Sequence, residues 1–352
     1  MFLDLLKKAE AHYQKCLPFV LYRKPEETKV LGIFQNNNQL HTTAKYEDSG
    51  FVFAPFDSHG TTVLIPPDEQ IIAEYITPRE KTKSFKWDGS NASEKSKHLE
   101  RISEALKQIN TGRIKKVVLS RKVEVAVSAD PLAIFQEILS LYPRAFCYLW
   151  FHPAVGVWSG ASPETFLNIS NGRLTTMSLA GTKRVNENDL PEWGSKEIEE
   201  QGMVTSYILN VLGTLISGIK ASNVVSVKAG NLWHLKSIIS GNMKNISLEA
   251  VIEALHPTPA VCGLPLLEAQ RFVSEHESYD REYYSGFLGE LNMGGNMSTQ
   301  LFVNLRCLKV QDELVNLYIG GGITKDSIPE NEWLETHDKM EIMGRALFNS
   351  QD

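Results

Sequence analysis

The chain has 352 residues, 42% of them hydrophobic, enough for one large domain or two modest ones with a substantial buried core. Its 42 acidic residues against 36 basic ones leave a net charge of −6, which excludes the broad positive field that binds nucleic-acid backbones. Four cysteines, Cys16, Cys147, Cys262 and Cys307, are scattered without CxxC spacing, which speaks against a structural zinc site or a disulfide scaffold and for a reducing, cytoplasmic setting.

Residues 1–20 carry apolar positions broken by Lys7, Lys8, Glu10, His12 and Lys15, so they read as an amphipathic helix and not as a signal peptide or membrane span. The rest of the first 90 residues mixes apolar segments with turn-rich stretches such as Gln35-Asn36-Asn37-Asn38, and the polar run 81–96 reads as a connector. A helix is predicted over 94–110, followed by β-branched strand material at 117–119 and 123–127. Asp130 as N-cap with Pro131 in the first turn predicts a helix to Leu141. Residues 145–151 suit a strand, and 166–169 with 174–177 suit a hairpin turning at Asn171-Gly172. Ile198, Met203, Ile208, Leu212 and Leu215 recur near the helical period, which predicts a long helix over 197–217. Near the end, 301–310 and 314–319 alternate around Asp312-Glu313 as a second hairpin, followed by a loop at Gly320-Gly321-Gly322 and a helix over 329–348. Helices and hairpins mix without regular βαβ alternation, so the fold class is α+β.

Two acidic pairs stand three apart on predicted helices, Glu197 with Glu200 and Glu332 with Glu335, and each pair shares a helix face. Magnesium takes hard oxygen ligands, commonly one or two carboxylates with substrate oxygens and water. A solvated helix face would show the same spacing. The triple glycine could bring bare amides close to an anion or serve as a tight turn; it is not GxGxxG and has no P-loop lysine. Arg306, placed inside a predicted strand, needs an anionic partner from either protein or ligand. By position alone Lys116 belongs to an exposed basic patch with Arg113 and Lys115, and Glu164 to a turn after Ser162-Pro163. To act as base and acid, the lysine would have to be neutral and the carboxyl protonated near neutrality. His234 and His256 lie beside apolar residues and read as hydrogen-bonded core histidines.

Taken in order, these fragments resemble the chorismate-utilising enzymes, the family of isochorismate, salicylate, anthranilate and aminodeoxychorismate synthases. The resemblance covers 94–348 and rests on Lys116-Val-Val-Leu-Ser-Arg121, Ser162-Pro-Glu164, Leu179-Ala-Gly-Thr182, Lys196-Glu-Ile-Glu-Glu200, Leu232-Trp-His-Leu235 and His256-Pro-Thr-Pro-Ala260. It continues through Tyr284-Ser-Gly286, Val303-Asn-Leu-Arg306, Gly320-Gly-Gly322 and Glu332-Trp-Leu-Glu335-Thr336 with Lys339. It implies a single large domain of antiparallel sheets packed with helices, like anthranilate synthase component I, with 91–352 as the chorismate-binding catalytic part and 1–90 as a poorly matched N-terminal portion of the same fold. By resemblance Glu200 and Glu335 are magnesium ligands, with Glu197 and Glu332 acting through waters. Arg306, Tyr284, Lys339 and Gly320 to Gly322 would hold substrate carboxylates, with Gly181, Thr182, His234 and Ala260 also at the substrate.

Within the family, aminodeoxychorismate synthases carry a nucleophilic lysine directly before the Gly-Thr of the loop, where this chain has Ala180. Anthranilate synthases lack the lysine before Val-Val-Leu-Ser, where this chain has Lys116. The resemblance therefore implies water as nucleophile, Lys116 as general base, Glu164 as general acid, and isomerisation of chorismate to isochorismate by water addition at ring C2 and loss of the C4 hydroxyl. The product would feed menaquinone or siderophore synthesis, with no obligatory protein partner and no membrane or nucleic acid involved. A salicylate synthase, which goes on to eliminate pyruvate, and a non-catalytic magnesium or carboxylate binder are the alternative readings. Two positions depart from the family pattern: Gln201 replaces a common histidine, and Ser178 a common proline.

Overall fold

The computed structural model describes residues 1–76, 92–184, 190–229, 232–243, 246–294 and 298–350. The predicted connector lies outside these up to residue 91, and its last residues open a helix. The first elements are α1 (Phe2–Gln14), β1 (Phe19–Arg23), β2 (Lys29–Phe34), β3 (His41–Thr43), β4 (Gly50–Ala54), β5 (Thr62–Ile65) and β6 (Glu69–Glu74). There follow α2 (Ala92–Asn110), β7 (Lys116–Ala126), α3 (Pro131–Leu141), β8 (Phe146–His152), β9 (Gly156–Ser162), β10 (Thr165–Ser170) and β11 (Arg173–Arg184). The middle holds α4 (Ser195–Gly213), β12 (Ser217–Ala221), β13 (Val225–Ala229), β14 (Leu232–Asn242), α5 (Leu248–Leu255) and β15 (Gly263–Leu264). The chain closes with α6 (Leu266–His276), β16 (Phe287–Met293), β17 (Ser298–Val303), β18 (Cys307–Gln311), β19 (Leu314–Ile323) and α7 (Pro329–Asn349).

Local signals set several of these. Asp130 Oδ1 accepts from the Leu132 amide at 2.9 Å and starts α3 with Pro131 at its first position. Asn171 and Gly172 both take positive φ, 51° and 70°, as a two-residue turn joining right-twisted strands requires.

The strands form two antiparallel sheets. One runs β15-β7-β19-β18-β9-β8-β1-β2-β6 and the other β12-β14-β11-β10-β17-β16-β4-β5-β3, with β13 paired to β14. Between them lies an aromatic layer: Tyr22, Phe146, Tyr148, Trp150 and Trp158 from the first sheet meet Phe51, Phe53 and Phe302 from the second. Phe146 and Phe302 stack across that layer with ring centres 4.1 Å apart, a pairing that adds about 1 kcal/mol beyond burial. The outer face of the first sheet packs against α1, α3 and α7, and that of the second against α4 and α5. The fold is thus an α+β sandwich inside helices. The N-terminal strands belong to both sheets, since β1 pairs with β8 and β4 with β16.

Several sequence expectations need correction. The N-terminal helix ends at Gln14, because Phe19–Arg23 are buried as a strand. Residues 116–126 form one strand and not two. The long helix stops at Gly213, and Ser217–Ala221 return as strand β12. The stretch 301–310 is not one strand: β17 belongs to the second sheet and β18 to the first. The chain crosses between sheets at Asn304 to Arg306, and Arg306 takes φ 48° at the crossing. The triple glycine is not a loop; it ends β19 and pairs with Ser120, Leu119 and Val118 of β7. No described helix is long and apolar enough to cross a membrane.

Candidate active site

The site is built around the bare end of β19. β18 follows β19 only as far as Tyr318, whereas β7 stays paired through Ile323. Along the glycines there are no side chains on either face, and neighbours from α4 and α7 close in. A Cβ on Gly322 would lie 2.4 Å from Glu200 Oε1 and 3.2 Å from Lys116 Cε, while one on Gly320 would lie 2.7 Å from the Tyr284 hydroxyl. On Gly321 it would point the other way, 3.8 Å from Glu335 Oε1. The glycines thus let Glu200 and Glu335 approach one strand from its two faces.

A cavity of about 110 Å³ opens here. Glu164, Glu200 and Glu335 line it, as do Arg306, Lys339 and Tyr284. So do Gly181, Thr182, His234, Ala260, Gly320 and Gly322. Gly321, Glu197, Glu332 and Lys116 do not line it. Lys116 lies directly behind Glu200, fully buried, with its ammonium 3.0 Å from Glu200 Oε1 but outside hydrogen-bonding geometry. The expected exposed patch is therefore wrong for Lys116 and right for its neighbours Arg113 and Lys115.

Burial decides the electrostatics. Glu164 is 3% exposed, and loss of solvent pushes its carboxyl up to about 8 despite the opposing charge of Lys116. Burial also pushes Glu200 upward, but Lys116, with Lys196 and Lys339, more than offsets it and holds that carboxylate below its usual range. Two carboxyl groups in one cavity are thus driven apart, one protonated near neutrality and one ionised. Burial, reinforced by the charge of Glu335, raises Glu332, whose partner is Lys196. Lys339 Nζ bridges Glu335 Oε1 at 2.8 Å and the Gly320 carbonyl at 2.9 Å.

Arg306 is a buried cation in the cavity wall. Its terminal nitrogens donate to Ala229 O at 3.3 Å and His234 Nε2 at 3.0 Å, both neutral acceptors. Burial lowers His234 well below its usual range, and Arg306 and Lys339 add to this, so it is a neutral imidazole whose Nδ1–H donates to Gly181 O at 3.1 Å. Among the described residues Arg306 has no carboxylate partner, and burial lowers it to about 10, so the protein partner that the sequence leaves open is not found there. His256 behaves as a core histidine, with Nε2 at 2.9 Å from Pro55 O and its ring edge-on to Phe166 and Phe287.

The Glu197 carboxylate is engaged within its own helix, where its Oε2 accepts from the Gly194 amide at 3.0 Å and so caps α4. Reading the sequence for polar chemistry missed the apolar wall, Leu305, Tyr318, Met340 and Met343. It also missed that the two departures from the family pattern are one feature, since Gln201 Nε2 donates to Ser178 Oγ at 3.0 Å.

The described residues hold no cluster of three His, Cys, Asp or Glu side chains placed for a metal ion. The donor set still fits a divalent cation of the magnesium type, which needs only one or two carboxylates. Glu200, Glu332 and Glu335 are each charge-compensated by a lysine.

The model of the chorismate binding enzyme family matches residues 9–345. Isochorismate synthase EntC of Escherichia coli is 30% identical over 248 residues, 66% of this chain and 62% of that protein. Anthranilate synthase component 1 of Methanothermobacter marburgensis is 27% identical over 275 residues, 73% of this chain and 57% of that one. The chain thus matches less than two thirds of either relative's length. The solved structure of MenF, the menaquinone-specific isochorismate synthase of Escherichia coli, superposes with a TM-score of 0.79 over 94% of this chain and 88% of that one, at 21% identity.

Proposed function

Since the chain belongs to the chorismate binding enzyme family, we propose that its cavity isomerises chorismate to isochorismate. The observation that carries this is Glu164, a buried carboxyl raised to about 8 at the cavity wall, facing the charge of buried Lys116. A proton donor at the cavity wall, with a lysine behind Glu200 to serve as base, suits the exchange of one hydroxyl for another.

Arg306, Lys339 and the edge of β19 at Gly320 would hold the two substrate carboxylates, fixing the ring before any bond changes. Lys116 would act as general base, taking a proton from the water that adds at ring C2. Glu164 would give its proton to the C4 hydroxyl, which departs as water while the ring double bonds shift. One water enters and one leaves; Lys116 then releases the proton it took and Glu164 regains the one it gave by exchange with solvent, so no net proton is consumed. Glu200 and Glu335 would hold magnesium, with Glu332 and Glu197 supporting them. The bound cation would supply charge neutralisation at the ring carboxylate. Ala180, lining the cavity directly before Gly181-Thr182, offers no side-chain nucleophile, so water is left to attack.

The test is to incubate the protein with chorismate and magnesium and separate the products by chromatography. Isochorismate alone is expected. Salicylate with pyruvate would instead make the chain a lyase, and unchanged chorismate would refute the proposal. Gly322→Ala supplies a structural check. Its methyl would overlap Glu200 Oε1, and a misplacement on the order of 1 Å costs about 100-fold in turnover. Wild-type kcat in that variant would mean that the close approach of Glu200 is not used.

A further inference from the structure

A second cavity, of about 560 Å³, adjoins the first; Pro163, Leu179 and Arg306 line both. Its charged wall is basic. Among the described residues Arg144, Lys228, Lys236 and Arg306 face it against one carboxylate, Glu26, a local balance of +3 (four cations minus one anion) in a chain whose net charge is −6. Among the described residues Arg144, Lys228 and Lys236 form no ion pair, and Arg306 bonds only neutral acceptors. Cations left unpaired around a concave surface focus the field outward and raise the local concentration of anions.

The geometry points to this cavity as an outer anion subsite, through which a dicarboxylate reaches the catalytic cavity and its product leaves. This rests on the reading of the substrate as chorismate, a dianion that the protein as a whole would repel. Lys228 on the edge strand β13, which is exposed, and half-buried Lys236 on its neighbour β14 catch the carboxylates first. Arg306, the charged residue common to both cavities, receives them at the shared wall. Pro163 and Leu179, the other shared residues, immediately precede Glu164 and Ala180 in the chain, so traffic through this wall passes the acid and the substrate loop together.

Neither lysine belongs to the catalytic machinery, so the double variant Lys228→Glu with Lys236→Glu tests the subsite. At low ionic strength kcat/KM for chorismate is expected to fall at least about tenfold, with kcat within about twofold of wild type. The decline of wild-type kcat/KM with added salt should flatten or reverse in the variant, because screening now removes repulsion. Equal kcat/KM and equal salt slopes in the two proteins would overturn the proposal.

A second readout needs no turnover. Trp233 lines the outer cavity, so the part of the fluorescence lost in Trp233→Phe should be quenched more strongly by iodide than by caesium. The charge-reversed protein should invert that order. Equal quenching by both ions, unchanged in the variant, would also overturn the subsite. A wild-type protein that leaves chorismate untouched but shows the iodide preference would refute the catalytic reading and leave the anion subsite standing.

Discussion

Glu164→Gln is expected to lower kcat by at least about 100-fold, the low end of a general acid's contribution, with little change in KM. The substitution is nearly isosteric and replaces a buried carboxyl, protonated near neutrality, by a neutral amide. Packing is therefore preserved while the transferable proton is lost. The pH profile should carry the same signature. Because Glu164 titrates at about 8, wild-type turnover should fall as pH rises through that value and the acid form disappears. The stability sign is independent of activity: the folded value lies above the ordinary 4.5, so the contribution of Glu164 is fully present below 4.5 and lost as pH rises through about 8. Glu164→Gln should therefore unfold at a higher temperature than wild type at pH 9 and at about the same temperature at pH 4. A variant with wild-type kcat would remove Glu164 from the chemistry. Lys116→Gln should lose turnover as heavily, but it also strips one partner from a buried ion pair, which costs about 3–5 kcal/mol of stability, so its kinetics must be read on protein shown to be folded.

Chelating divalent cations is expected to abolish turnover, and added magnesium to restore it. Glu200→Ala and Glu335→Ala should each abolish magnesium binding as well, read by titration calorimetry without substrate. Glu332→Ala, acting from behind Lys196, should weaken that binding by about 10 to 100-fold. Glu197→Ala is a poorer probe, because the carboxylate it removes also caps α4. Full turnover in the presence of chelator would end the magnesium assignment.

What could be read from the sequence follows from how local its causes are. The hairpin at Asn171-Gly172 and the start of α3 at Asp130-Pro131 depend on neighbours within a few residues, and both stand where their signals place them. Strands β1 and β4 gave no alternation to read, because every residue of each is buried, and one partner of each, β8 and β16, lies more than 100 residues away. The break at Arg306 was hidden because apolar residues recur on both sides of it, with no glycine or proline between, while the backbone changes sheets. Lys116 looked like part of a surface patch because its partner Glu200 is supplied by α4, which no local pattern can announce. The glycine run was visible as a place of close approach, but its neighbours prove to be side chains from two helices as well as open cavity.

Whether solvent is the nucleophile is decided by running the reaction in water labelled with heavy oxygen and weighing the product by mass spectrometry. Isochorismate carrying a single heavy oxygen in its new ring hydroxyl is expected, since water adds to the ring and the original hydroxyl departs. Unlabelled isochorismate would mean that the hydroxyl migrates within the molecule, and Lys116 would then have no water to activate.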